Sequence, residues 1–237
     1  MATNFQSRMQ ALTSTSAEID EGLRAHMLRV YNYMTVGLAL TGIVAYLTAS
    51  TPALMEAIYL SPLKWVVFLA PLGMVFFLSA RIHKMSMAAA QTTYWIFAGV
   101  VGLSLASIFV IYTSASIAEV FFITAGMFAG MSIYGYTTKR SLASLGSFLF
   151  MGLIGILIAM VVNIFIGSAM MDFVISVLGV LIFAGLTAYD TQVIKEMYYE
   201  GDGAEVAGKK AVMGALRLYL DFLNMFIFML HLFGSQR

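Results

Sequence analysis

Cysteine is absent from the sequence, and charged side chains are scarce. Without cysteine the 237-residue chain has no disulfide framework, no thiolate nucleophile and no cysteine-based metal site. Lysine and arginine together number 13 and aspartate and glutamate 12, which leaves a net charge of +1. So sparse and balanced a set of charges cannot build the basic surface that nucleic-acid binding requires. We therefore expect no nucleic-acid partner.

Apolar residues are in large excess, at 61% of the chain against 11% charged residues. A soluble globular domain has about 45–50% apolar and about 25% charged residues. Each apolar stretch is long enough for a helix to cross about 30 Å of hydrocarbon. The stretches are continuous rather than alternating, which excludes a membrane barrel. The sequence predicts an all-α membrane protein with seven transmembrane helices, at about 30–50, 63–80, 92–112, 120–136, 145–166, 173–189 and 214–233.

The distribution of basic residues predicts the orientation of these helices. Residues 1–29 are expected to form a polar cytoplasmic tail without a cleavable signal, ahead of a single seven-helix domain over residues 30–237. Ten lysines and arginines lie in the tail and in every second loop, against Lys64 and Arg237 on the other side. The positive-inside rule then places the N-terminus in the cytoplasm and the C-terminus outside. The charges in the last stretch leave open that it is re-entrant, and the largest connection is expected at 191–213.

Two acids fall within or at the end of apolar stretches, where an ionisable group is costly unless it faces the bundle interior. Asp190 ends the sixth stretch, although the residues after it can continue the helix, and Asp221 lies inside the seventh. On a helical projection of the last stretch, the polar or aromatic residues within about 80° of Asp221 form one narrow face. Those residues are Arg217, Asn224, Phe228 and His231.

Because the sixth and seventh helices are antiparallel, Asp190 and Asp221 can meet at one depth. Two carboxyl groups in a low-dielectric site cannot both ionise cheaply, so we expect them to share a proton. Loss of that proton would leave two like charges in contact, which makes the pair a proton-gated latch. In the alternative, Asp221 pairs with Arg217 one turn earlier and Asp190 lies at the headgroups.

Three classes of function are compatible with these residues. They are a passive cation pathway gated by the acids, a regulatory protein that docks on another membrane protein, and an aspartyl intramembrane protease. Tyr189-Asp190 fits the protease, but Asp221 follows Leu218-Tyr219-Leu220 instead of a Gly-x-Gly sequence, and Pro-Ala-Leu occurs only far upstream at 52–54. We therefore expect no enzyme activity.

Three motifs stand out in the sequence: Ala188-Tyr189-Asp190-Thr191-Gln192, Leu218-Tyr219-Leu220-Asp221-Phe222-Leu223-Asn224 and Tyr134-Gly135-Tyr136-Thr137-Thr138-Lys139-Arg140. They resemble the transmembrane Bax inhibitor motif family, in particular its bacterial inner-membrane members. The resemblance extends from about His26 to Gly234. It implies seven helices arranged as two three-helix layers around a central C-terminal helix. It also implies a multi-pass protein of the inner membrane that acts as a pH-sensitive calcium leak.

The resemblance assigns Asp190 and Asp221 as proton sensor and gate, and they are also the candidates for a transient calcium contact. Arg81 is similar to a second-helix arginine that engages the first aspartate in some members. Arg217 and Asn224 are further candidate partners of the gate. No cofactor is expected, and the expected partners are the lipid bilayer and calcium ions.

The sequence departs from the family at two positions. Ser141 stands where members often have aspartate, and His231 where they have arginine, which leaves the acidity of that loop and the electrostatics of the last helix undetermined. Some bacterial relatives are known as partners of a membrane quality-control protease. Docking on such a protein is therefore the alternative function.

Overall fold

The chain folds almost entirely into helices. The computed structural model describes the backbone of residues 2–237 and the side chains of residues 21–237. In this part of the chain there are eight α-helices, and a 3-10 turn at Ile82–Lys84 follows the third. Seven of them are long and apolar enough to cross a membrane, and α2 is the short exception. The helices are α1 (Ala2–Ala49), α2 (Pro52–Tyr59), α3 (Leu63–Arg81), α4 (Met87–Ile111), α5 (Ser114–Thr137), α6 (Ala143–Ile166), α7 (Ala169–Glu196) and α8 (Ala204–Phe233).

The seven predicted spans are confirmed, but most of the helices are longer than the apolar stretches. Hydropathy marks the part of a helix that crosses hydrocarbon, whereas the backbone hydrogen bonds continue into the polar residues beyond it. Helix α7 continues through Asp190, and α8 starts ten residues before the predicted span. The predicted connection over 191–213 was therefore wrong, because only residues 197–203 separate the two helices.

Two expectations concern the ends of the chain: a last span that could be re-entrant, and a polar N-terminal tail. Helix α8 is one continuous helix of 30 residues, about 45 Å long, so the re-entrant alternative is not what the structure shows. At the other end, the side chains of residues 1–20 of the predicted polar tail lie outside the described residues. The rest of that tail, from Glu21 to Arg29, belongs to α1.

Local sequence signals start and end several of these helices. Ser86, Thr113 and Ser168 are N-caps whose side-chain oxygens accept a hydrogen bond from the backbone N–H three residues later. Helix α6 ends at Gly167, which has a positive φ of 67° and makes the left-handed turn that glycine adopts at little cost. The α6–α7 turn is therefore short, and the two helices lie side by side.

The helices form two layers with α8 between them. In one layer α4 packs against α1 and α3, and in the other α7 packs against α5 and α6. Helix α8 contacts α1, α4, α5 and α7, and 72% of its apolar window is buried, compared with 17–39% for the other six spans. Two three-helix layers around a central C-terminal helix are therefore confirmed.

Two glycines allow the helices of this bundle to approach closely. A Cβ atom on Gly135 of α5 would lie 2.1 Å from the carbonyl oxygen of Ala188 on α7. A Cβ atom on Gly179 of α7 would lie 2.5 Å from a ring carbon of Phe228 on α8. Small residues at such contacts let van der Waals packing hold transmembrane helices together.

Three connections that contain or adjoin basic residues lie at one end of the bundle, which we call the basic end. Lys209 near the start of α8 donates to the carbonyl of Met85 in the α3–α4 connection, at 3.0 Å. Gln192 near the end of α7 donates to the carbonyl of Arg140 in the α5–α6 connection, at 2.9 Å. The chain terminus lies at the opposite end, where the amide of Arg237 donates to the carbonyl of Ile111.

Candidate functional site

Helices α6, α7 and α8 enclose a cleft of about 880 Å³. On α8 its lining includes all five residues that the helical projection placed on one face. The walls from α6 are almost wholly apolar, so the polar groups of the cleft come from α7 and α8. These five residues are Arg217, Asp221, Asn224, Phe228 and His231.

The cleft follows the long axis of the bundle. Its lining extends from Arg217 to His231 along α8 and from Gly146 to Met160 along α6. Each of these separations corresponds to about 21 Å of helix axis. The cleft therefore covers about two thirds of a hydrocarbon layer about 30 Å thick.

Asp190 and Asp221 lie together on the wall of this cleft. Their carboxyl groups are neighbours that interact directly. The Asp190 side chain is 14% exposed, and Asp221 is 4% exposed. Among the described residues, no donor reaches the buried Oδ2 of Asp221. Because ionised carboxylates only accept hydrogen bonds, a bond between these two groups requires one proton.

Arg217 joins this pair from one turn earlier on α8. Its Nη1 donates to Oδ1 of Asp190 at 3.1 Å, so the ion pair connects α7 with α8. Arg217 does not pair with Asp221 on its own helix, and Asp190 does not lie at a helix end. The alternative in which Arg217 pairs with Asp221 is thus not the arrangement in this structure. The guanidinium side chain is 41% exposed, which leaves its other donors accessible.

Neither of the two remaining gate candidates, Asn224 and Arg81, binds the aspartates. Asn224 lines the cleft, but its Nδ2 donates to the carbonyl of Leu220 at 2.8 Å and does not bind either aspartate. Arg81 is exposed at the end of α3 and is not part of the cleft lining. The structure does not bring Arg81 to the aspartate pair.

An aromatic contact lies along the cleft between the aspartates and its far end. The rings of Phe183 on α7 and Phe228 on α8 are stacked with their centroids 6.0 Å apart. Phe228 lies about 10 Å along α8 from Asp221. This contact fixes how α7 and α8 are rotated towards each other, and thereby the position of the two carboxyl groups.

A further polar contact, which sequence reasoning missed, lies at the end of the bundle opposite the basic end. Asn163 on α6 donates to a carboxylate oxygen of Asp172 in the first turn of α7. Asn163 is a buried polar residue inside the most apolar of the predicted spans, and that was the signal that could have revealed it. The contact holds the α6–α7 turn at the end of the cleft.

The aspartate pair is too small to be a resident metal site by itself. Among the side chains that the structure describes, no three or more histidine, cysteine, aspartate or glutamate residues cluster in a way that could hold a metal ion. Calcium takes six to eight oxygen ligands, more than two carboxyl groups supply. The arrangement suits the exchange of a proton and a brief contact with a passing cation.

Comparisons with known proteins identify relatives over nearly the whole chain. A family described as "Inhibitor of apoptosis-promoting Bax1" matches residues 23–237. The inner membrane protein YbhL of Escherichia coli K12 is 44% identical over 219 residues, which cover 91% of this chain and 94% of YbhL. Protein RP147 of Rickettsia prowazekii, described as uncharacterized, is 43% identical over 225 residues, 95% of each chain. An uncharacterized protein of Borreliella burgdorferi is 40% identical over 213 residues, which cover 89% of this chain and 92% of that protein. With its seven apolar helices, this chain is a multi-pass membrane protein and belongs to the Bax inhibitor family.

Proposed function

We propose that this protein is a pH-sensitive passive calcium leak of the inner membrane, gated by Asp190 and Asp221. The observation that carries the proposal is a buried carboxylate oxygen of Asp221 that has no hydrogen-bond donor, in a side chain that neighbours the Asp190 carboxyl group on the wall of a long cleft. A proton at this point supplies the missing hydrogen bond. The proton therefore acts where α7 and α8 meet.

The charges of the three groups explain how the pair can act as a latch. With one shared proton, Asp190, Asp221 and Arg217 carry no net charge, and hydrogen bonds connect α7 with α8. Without that proton the group carries one net negative charge, and one carboxylate is buried without a partner. Such an uncompensated charge is strongly unfavourable in a low-dielectric interior. Movement of α7 against α8, with entry of water, relieves it, so we infer that loss of the proton opens the cleft.

The open cleft offers a cation a weak site. Two ionised carboxylates attract a divalent cation, and the amide oxygen of Asn224 is a further ligand on the same face. Water completes the coordination that calcium requires. Conduction needs binding that is favourable enough for entry and weak enough for release, which suits so incomplete a ligand set.

The proposed location follows from the basic loops and from the relatives. The basic end gathers the loops whose lysine and arginine residues predict a cytoplasmic side. That side would also hold the N-terminus, because seven spans alternate between the two faces. The E. coli relative is named as an inner membrane protein. We therefore infer an inner-membrane protein with a cytoplasmic N-terminus.

Calcium flux into liposomes tests this proposal. Purified protein is reconstituted into vesicles loaded with a calcium indicator, and uptake down a calcium gradient is recorded across a pH series. We expect Asp190→Asn and Asp221→Asn each to abolish the pH dependence. Glu119→Gln, which neutralises an exposed acid of α5 outside the cleft, is the matched control and should respond as the wild type does.

The same assay distinguishes the proposed leak from the alternative function. Flux that requires an added membrane protein, or no flux at any pH, would favour a regulatory partner of another membrane protein such as a quality-control protease. An unchanged pH response in both aspartate variants would refute the latch even if the wild type conducts.

A further inference from the structure

A second cavity lies on the other side of Arg217. It has a volume of about 610 Å³ and is formed by α3, the 3-10 turn after it, Met197 just after α7 and the first half of α8. Arg217 and Leu220 line both this cavity and the aspartate cleft. A ligand in the second cavity would therefore touch a residue that holds the gate.

The lining of this second cavity consists mainly of cations and apolar side chains, with Ser79 and His83 as its other polar residues. Lys209, Lys210 and Arg217 supply three positive charges, and no described acidic side chain lines the space. The remaining wall is mostly aliphatic, with Val75 and Ile82 among the residues on the α3 side. A ligand that fits such a cavity has an anionic group joined to an apolar body.

Both lysines keep a free donor after their existing contacts are counted. Lys209 donates to a backbone carbonyl and pairs with Glu205 at 3.0 Å. Lys210 donates to the carbonyl of Met197 and pairs with Asp202. An ammonium group has three N–H donors, so one remains on each lysine. The acids of these pairs lie outside the cavity lining, and they position the ammonium groups without filling the space.

Arg217 has more unused donors than either lysine. Its guanidinium has five N–H groups, and one of them binds Asp190. Lys210 and Arg217 are seven residues apart and therefore lie on nearly the same face of α8, about 10 Å apart along the axis. Long basic side chains at this spacing can converge on one group between them.

We propose that this cavity binds an anionic phospholipid. The phosphate lies between Lys209, Lys210 and Arg217, and the glycerol and upper acyl chains contact the aliphatic wall. The cavity is at the basic end of seven apolar helices, which is the depth of the lipid headgroups. Arginine and lysine are the residues that bind phosphate oxygens with charge-assisted hydrogen bonds. The aliphatic wall favours a lipid over free phosphate, because free phosphate has no apolar part to bury.

Binding there has a consequence for the gate, and this step rests on the proposed function. A phosphate that draws the guanidinium of Arg217 towards it competes with Asp190 for the same donors. The aspartate pair then loses its positive partner, and the latch weakens. Anionic lipid is therefore expected to increase calcium flux at a given pH.

Native mass spectrometry of the full-length protein in detergent tests the binding. Phosphatidylglycerol is titrated against phosphatidylcholine as the neutral reference, and the affinity for the first bound lipid is compared. Each lysine contact with an anionic headgroup contributes about a factor of five, so Lys209→Gln with Lys210→Gln should weaken phosphatidylglycerol binding about 30-fold. Lys84→Gln with Lys139→Gln removes two exposed charges from the same end outside the cavity, and it should bind as the wild type does.

A third variant tests the cavity without a change of charge. Ser79 lines the cavity from α3 and is exposed, so Ser79→Trp fills the space while the basic residues remain. We expect it to reduce phosphatidylglycerol binding as strongly as the double lysine variant. Equal binding by the wild type and the Lys209/Lys210 variant would overturn the proposal. So would an equal loss in the Lys84/Lys139 control, since binding would then follow surface charge alone.

Two further measurements separate the remaining possibilities. Full displacement of phosphatidylglycerol by millimolar inorganic phosphate would overturn the assignment to a lipid and indicate a free phosphate site. Flux is then compared in vesicles with and without phosphatidylglycerol, where the Lys209/Lys210 variant should lose the lipid effect. Saturable binding without any flux would leave the lipid site intact and refute the proposed function instead.

Discussion

Replacement of Asp221 by asparagine is the sharpest perturbation of the gate. Asparagine preserves the shape of the buried carboxyl group, carries no charge, and can donate an N–H to Asp190 as the protonated acid would. Asp190 keeps its 3.1 Å bond to Arg217 in this variant, so the three groups are neutral overall as long as Asp190 is ionised. We expect Asp221→Asn to hold the cleft closed across the whole pH series.

The size of the effect follows from the repulsion that the variant removes. Two unit charges about 4 Å apart interact by about 4 kcal/mol at an effective dielectric constant of about 20. Every 1.4 kcal/mol is a tenfold change in an equilibrium, so the ratio of open to closed protein changes by up to about 10³. Water that enters the cleft screens part of this repulsion. We therefore expect flux at least about tenfold below wild type at the pH where the wild type is open.

The companion variant Asp190→Asn distinguishes this mechanism from a general loss of charge. It also removes the pH response, but it deprives Arg217 of its carboxylate and breaks the ion pair between α7 and α8. Its flux should be independent of pH and higher than that of Asp221→Asn. The liposome assay with the calcium indicator measures both variants at equal protein content. A wild-type pH response in Asp221→Asn, or a lower flux in Asp190→Asn than in Asp221→Asn, would refute the reasoning.

Three further outcomes can be measured separately. Arg217→Gln should raise flux under the conditions that keep the wild type closed, because the positive partner of the pair is gone. Gly179→Ala should destabilise the protein by about 1–3 kcal/mol because the new Cβ overlaps a phenyl ring at 2.5 Å. Gly155→Ala meets no atom within 4 Å and should leave the thermal unfolding midpoint in detergent unchanged or slightly higher. A reporter joined after Arg237 through a flexible linker should read as periplasmic, and a cytoplasmic signal would overturn the inferred orientation.

Much of the fold could be predicted from the sequence because the membrane imposes strong rules on it. A helix that satisfies its own backbone hydrogen bonds is the natural way to cross hydrocarbon, so continuous apolar stretches marked the seven spans. The polar stripe around Asp221 indicated that the last helix faces other helices, and α8 is indeed the central one. The short α2 was missed because its eight residues are too few to show a period, although Pro52 at its first position is a typical helix start.

The candidate site could be predicted only in part. Asp190 and Asp221 stood out because few acids lie inside apolar stretches, and the structure places them together. The partner of Arg217 could not be chosen, because the projection of one helix shows a face and not the groups opposite it. Arg81 was expected near the first aspartate through the resemblance alone, and its position at the end of α3 keeps it away. The second cavity gave no sequence signal, since α3 and α8 are far apart in the chain.

By itself the sequence determined that this is a membrane protein of seven helices with two acids in unusual positions, because the cost of placing charge in hydrocarbon applies to each helix separately. The tertiary structure decided which groups these acids meet. Which groups they meet depends on the rotation and register of α7 against α8. Two contacts set this arrangement to within a helical turn: the contact of Gly179 with Phe228 and the ion pair of Asp190 with Arg217. Such contacts involve side chains on different helices, and only their packing brings them within bonding distance.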